Sequence, residues 1–218
     1  VTAHVSHRLR DLFLAPDDAA PARRVAERVA PSSVGVLAGP REGGVAATAL
    51  ALALGRTAVV CRWDGRDPAP PRAATASLPA RRLAERLDRR GLDASARGRL
   101  VTVALPASPV EARAATERTR AAIDDVPLVL LVAGPRPPAL DPLLAALDRL
   151  VLVPSPGAPP GLDDLALATA AHLGRGASLL ALPETPLARL TTSTGRALSP
   201  RLRAAARSAL GLGGESDA

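Results

Sequence analysis

Few side chains in this 218-residue sequence have the type and spacing to do chemistry. The most suggestive stretch is Gly39-Pro-Arg-Glu-Gly-Gly-Val-Ala-Ala-Thr48, set between the short apolar run Ser33–Ala38 and the longer Val45–Leu54. A glycine-rich turn between a strand and a helix aims several backbone N–H groups at one point, where the helix dipole helps them hold an anion. Anion binding at this turn is therefore the chemistry to examine. The spacing is not that of a standard phosphate loop, G-x-x-x-x-G-K-S/T. The sequence contains no lysine, so all 28 basic residues are arginine. Schiff-base chemistry, a lysine general base and the phosphate-loop lysine are excluded together.

The remaining candidates have ordinary readings that outweigh the functional ones. His4 and His7 share a helical spacing that suits a metal, but no third ligand stands near them in sequence, and a solvated N-terminus is the better reading. Cys61 lies in an apolar run with no histidine paired to it by motif, so it reads as a buried strand residue. Asp64 precedes a glycine and needs no role beyond a turn. Asp163-Asp164 suits the start of a helix, and His172 the surface of the same helix. Thr48 reads more readily as a first-turn helix residue than as a magnesium ligand. No catalytic residue and no metal site is expected.

The elements that must position these residues follow from patterning. Short apolar runs at Ser33–Ala38, Thr57–Cys61, Arg99–Leu105, Pro127–Ala133, Leu150–Pro154 and Ser178–Leu182 read as strands. Between them, Val45–Leu54, Ala80–Arg90, Pro109–Ile123, Asp141–Leu147 and Gly161–Leu173 read as helices, and Pro200–Leu210 as a final one. Asp67–Pro79 is proline-rich and reads as a loop. The alternation predicts an α/β fold, a doubly wound, mostly parallel sheet flanked by helices. Leu-Val-Leu-Leu-Val at 128–132 is the continuous apolar run that a strand covered on both faces requires. Residues 1–30 read as an N-terminal helical extension, 31–210 as the domain, and 211–218 as a disordered tail.

Composition narrows the partners. A net charge of +7 suggests nucleic acid, but the arginines are scattered, with a modest cluster at Arg81–Arg90. Phe13 and Trp63 are the only aromatic residues, too few to make a stacking platform for single strands. The single Cys61 fits a reducing cytoplasm. No apolar run approaches the roughly 20 residues a membrane span needs. In the C-terminal helix the apolar residues Leu202, Ala206, Ala209 and Leu210 lie opposite Arg201, Arg203 and Arg207. That face is too small and too rich in alanine for membrane anchoring, so packing onto the domain is expected.

Glu42-Gly-Gly-Val-Ala-Ala-Thr48 resembles the deviant Walker A loop of the MinD/ParA-type P-loop ATPases, K-G-G-x-G-K-S/T, without a gap. Gly43, Gly44, Val45 and Thr48 match; Glu42 and Ala47 stand where the two lysines would be, and Ala46 replaces a glycine. Val59-Val-Cys-Arg-Trp-Asp64 resembles the second strand, with Arg62 in place of its first aspartate and Asp64 matching the second. Val129-Leu-Leu-Val-Ala-Gly-Pro135 is similar to the Walker B strand, with Ala133 in place of the metal-linked aspartate. Leu147-Asp-Arg-Leu-Val-Leu-Val-Pro-Ser-Pro156 resembles a later strand. The likeness runs in order over residues 33–185.

The resemblance implies a P-loop NTPase-like fold and ATP with magnesium as cofactors. The substitutions remove the charges that phosphoryl transfer depends on. Losing one such group costs about 10²–10³ in rate, so the expectation is a degenerate member that turns over no ATP. No cofactor is expected, beyond residual ATP and magnesium binding at Gly43, Gly44 and Thr48. The expected role is a non-catalytic scaffold or regulator in cellular positioning or assembly: division, partition, or a secretion or pilus system. Its expected partner is a protein, a second copy of the chain included. The rival readings are a weak ATPase using Arg41, and an arginine-based nucleic-acid binder of the partition type. A codon bias toward arginine does not account for Ala47, since arginine itself was open to that position.

Overall fold

The computed structural model describes residues 30–65, 75–154, 177–182 and 199–212. In chain order the strands are β1 (Ser33–Ala38), β2 (Ala58–Trp63), β3 (Ala94–Arg97), β4 (Leu100–Ala104), β5 (Leu128–Ala133), β6 (Arg149–Val153) and β7 (Ala177–Leu179). The helices are α1 (Gly43–Ala53), α2 (Leu78–Asp88), α3 (Pro109–Arg120), α4 (Asp141–Ala145) and α5 (Pro200–Ala209). One seven-stranded sheet has the order β3-β4-β2-β5-β1-β6-β7, and only the β3–β4 pair is antiparallel. This is the doubly wound, mostly parallel α/β fold that the alternating pattern predicts. Of the expected elements, the N-terminal extension and the Gly161–Leu173 helix lie outside the described residues.

Period-two alternation on buried strands supplies two cores. Val129, Leu131 and Ala133 of β5 join Val34 and Val36 of β1 on the face covered by α1 and α5. Leu128, Leu130 and Val132 join Cys61, Trp63 and Val103 on the face covered by α2, α3 and α4. Every residue of β5 is buried, because it lies at the sheet's centre with a helical layer on each side. Helix α1, apolar all round, is enclosed between the sheet and α5, and Leu202, Ala206 and Ala209 of α5 pack into the same core. The C-terminal helix thus docks on the domain. Among the described residues no helix is long and apolar enough to cross a membrane.

Several boundaries differ from expectation, and local contacts account for those of α1, α2 and β3. Helix α1 begins at Gly43 rather than Val45, since the Gly43 N–H already donates to the Gly39 carbonyl at 3.0 Å. Helix α2 begins at Leu78, inside the expected loop, because Ser77 caps it by accepting from the Ala80 N–H and Pro79 fits the first turn. Strand β3 was not expected, as Ala-Ser-Ala-Arg has no apolar run. It forms because Gly98, at φ 57°, opens a two-residue turn that folds 94–97 back onto β4. The third expected strand accordingly covers only Leu100–Ala104. Helix α3 stops at Arg120, helix α4 at Ala145, and β7 spans three residues. Of the tail expected over 211–218, Gly211 and Leu212 belong to the helix end, and 213–218 lie outside the described residues. Gly211, at φ 72°, and Leu212 close α5, with Leu212 N–H donating to the Arg207 carbonyl at 2.8 Å.

Candidate functional site

In an open α/β sheet, ligands bind beyond the carboxyl ends of the strands, where neighbouring strands send their connections to opposite faces. Here β1 leads into α1 on one face, while its neighbour β5 leads to α4 on the other. The crevice at Ala38–Thr48 and Ala133–Arg136 is therefore the place the fold provides for a ligand. The sequence placed its candidate cradle at this same point.

The crevice is closely packed and carries little charge. Ala38 and Ala133 are register partners at the two strand ends, and the Gly134 N–H extends the pairing by donating to the Ala38 carbonyl at 2.9 Å. Gly134 takes φ 120°, a conformation open to glycine. Gly43 rests directly on the strands. A Cβ there would lie 2.9 Å from Leu131 Cδ1 and 3.4 Å from the Cβ atoms of Ala38 and Ala133. The glycine is thus needed for close helix–sheet packing, whatever else it does. Ala46 and Ala47 point into the core, at 0% and 1% exposure.

The three expected cradle residues and Arg41 are near one another in the chain but do not converge on one point. The Gly43 N–H is taken by Gly39, as described. Thr48 is the sixth residue of α1, not part of its first turn as expected, because the helix starts early. Its backbone N–H thus falls beyond the four that a helix leaves free, and its hydroxyl donates to the Gly44 carbonyl at 2.7 Å. Gly44 is exposed with open space around it, and Arg41 is exposed in the turn before the helix. Glu42 occupies the N-cap position, and its side chain makes no capping hydrogen bond to the helix. These positions offer no lysine to a phosphate and no carboxylate at Ala133 to a metal, so the residues present do not fit magnesium-bound ATP.

Two local ion pairs stand at this end. Arg62 and Asp64 form an ion pair at 3.1 Å beside the end of β2, which accounts for Asp64 structurally. Arg136 and Asp141 approach to 3.2 Å across the β5–α4 connection; their contacting atoms are shielded from solvent but not aligned as a hydrogen bond. Trp63 Nε1–H donates to the Ala107 carbonyl at 3.2 Å, tying the loop after β4 to β2. Cys61 is buried on β2; desolvation pushes its thiol up to about 12, against the smaller opposing effect of a hydrogen bond with Thr119. It is a packing residue, inert as a nucleophile at neutral pH.

The side chains with the most elaborate hydrogen bonding lie at the opposite end of the sheet, and sequence reasoning missed them. Asp148 Oδ2 accepts from the Ser32 N–H at 2.9 Å, the Ser32 hydroxyl at 2.7 Å and the Ser33 N–H at 2.9 Å. The Asp148 N–H in turn donates to Ser33 Oγ at 3.1 Å. Burial pushes the Asp148 carboxyl up, but these hydrogen bonds outweigh it and hold the group below the usual carboxylate range. Arg99 donates to the Leu52 carbonyl at 2.9 Å and the Gly55 carbonyl at 3.2 Å, closing the C-terminus of α1. Arg149 donates to Ser178 Oγ and the Ala209 carbonyl, joining β7 and α5 to β6. A serine pair before the first strand was the available signal for Asp148, but its partner stands more than a hundred residues away.

No protein-family model matches the chain, and no curated protein matches it. Among the described residues no group of three or more His, Cys, Asp and Glu side chains is placed to hold a metal ion. His4, His7, His172, Asp163 and Asp164 lie outside the described residues.

Proposed function

We propose that this chain is a non-catalytic MinD/ParA-like scaffold or regulator that acts through protein contacts in cellular positioning or assembly. The observation that carries the reading is the switch-point crevice. It retains the glycine that lets α1 settle on β1 and β5, while alanine stands at Ala47 and Ala133 where the resembled family has its charges. Strand order supports it as well, since β5 inserts between β1 and β2 and so brings the two resembled motifs side by side. A chain that keeps the packing of a phosphate site and lacks its charge is suited to presenting surfaces rather than to phosphoryl transfer. Cytoplasmic placement and a protein partner, including a second copy of the chain, belong to this same reading.

Steady-state hydrolysis of magnesium ATP tests it. The expected result is no phosphate release above the uncatalysed rate, with or without an added candidate partner. Steady turnover abolished by Arg41→Ala would replace this reading with that of a weak ATPase using a non-standard loop.

A further inference from the structure

A cleft of about 650 Å³ opens at the amino end of the sheet, between the C-terminus of α1, the N-terminus of α2, the β3–β4 turn and one face of α5. Its volume is in the range of small-molecule sites. Leu52 and Ala53 form an apolar wall, Ser77 contributes a hydroxyl, and Arg99, Arg203 and Arg207 supply three guanidinium groups. Among the described residues no acidic side chain lines it. From this juxtaposition we infer that the cleft binds a small molecule carrying a di- or triphosphate.

Charge and pre-organisation both support this. Arg203 and Arg207 are four residues apart on α5, so they project from one helix face, where like charges repel unless an anion lies between them. No counter-ion for Arg203 occurs among the described residues, and Arg207 is engaged only with the Leu212 carbonyl, at 3.2 Å. Arg99 is held in place by its two bonds to α1 carbonyls. The C-terminus of α1 contributes about half a negative charge, far too little to neutralise three cations, and the N-terminus of α2 offsets it with a similar positive charge. Ser77 Oγ accepts from the Ala80 N–H, which leaves its O–H free to donate to a ligand. Two guanidinium forks and a hydroxyl match the oxygens of more than one phosphate, since one phosphate cannot saturate them all.

The cleft lies at the end of the sheet away from Gly39–Thr48, so it does not depend on the proposed scaffold role. Calorimetric titration of the full chain with inorganic tripolyphosphate, and separately with ATP, tests it at low ionic strength. The expected result is one saturable site for tripolyphosphate, weakened about tenfold or more by the double substitution Arg203→Ala/Arg207→Ala. Arg118→Ala/Arg120→Ala removes the same charge from exposed positions on α3, across the sheet, and is expected to leave binding unchanged. Tighter binding of ATP than of tripolyphosphate, lost in the α5 double variant, identifies a nucleotide lying along Leu52 and Ala53; equal binding identifies recognition of the phosphates alone. Absence of saturable binding, or equal weakening by the α3 control, overturns the proposal. ATP binding that survives the α5 double variant also overturns it and points to Gly39–Thr48. ATP binding lost with that variant, without turnover, supports the cleft and leaves the scaffold reading standing.

Discussion

The two ends of the sheet have been furnished in opposite ways. At the carboxyl end, where this fold type collects ligands, β1 and β5 finish in Ala38 and Ala133, Gly43 presses onto them, and Ala47 points into the core. At the amino end, Asp148 gathers three donors from Ser32 and Ser33, Arg99 closes α1, and Arg149 ties β6 to β7 and α5. Side-chain hydrogen bonds at the amino end join segments distant in sequence. The ion pairs at the carboxyl end are short-range, Arg62 with Asp64 and Arg136 with Asp141. The contrast teaches that the usual ligand end here serves chiefly packing, its Trp63–Ala107 bond apart, while most long-range side-chain hydrogen bonds lie at the other end. Small apolar residues permit close approach at the carboxyl end, while at the amino end side chains satisfy backbone donors and acceptors left open at element ends.

The comparison breaks most sharply if charge is returned to the carboxyl end. Ala47→Lys restores the residue type of a phosphate loop but puts an ammonium where 1% of the side chain meets solvent. Partial escape along the flexible stem reduces the penalty, leaving an expected destabilisation of about 3 kcal/mol or more. Urea unfolding measures it as a fall in midpoint at unchanged slope. A variant as stable as the parent, and newly able to bind ATP, would mean that the crevice opens readily into a phosphate cradle.

How much of this was legible follows from which interactions are local. Leu128–Val132 announces a central, doubly covered strand, and the uniformly apolar α1 announces its own burial, because each signal sits within one segment. The position of the candidate cradle was legible for the same reason, as a glycine-rich turn between a strand and a helix. Its geometry was not. Whether Gly43 begins a helix or remains in a loop depends on a bond to Gly39 and on contact with Leu131, far along the chain in a neighbouring strand. The β3 strand was hidden because its residues are small and mixed, and the Gly98 turn rather than any apolar pattern creates it. The Asp148 network and the arginine cleft are long-range by construction, and no local pattern encodes them.

A middle-sized effect tests the amino end. The Asp148 carboxyl is held below its unfolded value of about 3.9, so its contribution is fully present above that pH and is lost as pH falls through the lower folded value. Asp148→Asn removes the charge but keeps one acceptor oxygen. Because the group is exposed, solvent screening limits the expected loss at neutral pH to about 1 kcal/mol. The difference between parent and variant should shrink as pH falls through the lowered folded value, where the parent carboxyl itself becomes protonated. Urea midpoints across an acid pH series check this; a difference that persists unchanged in acid would show that the network does not depend on the charge.

The smallest effect is expected at Thr48, and it separates the two ends most economically. If the carboxyl end is packing alone, the Thr48 hydroxyl has no task beyond its bond to the Gly44 carbonyl, a back-bond that contributes little to a helix. Thr48→Ala then exchanges that bond and a methyl group for better helix propensity, and the net change should stay within about 0.5 kcal/mol in either direction. Binding of tripolyphosphate at the α5 cleft should be the same for parent and variant. A magnesium role for the hydroxyl predicts otherwise: ATP affinity would be magnesium-dependent in the parent and lose that dependence in Thr48→Ala. Titrating both proteins with ATP, with and without the metal, distinguishes the cases, because a packing residue cannot confer a metal requirement on binding elsewhere in the molecule.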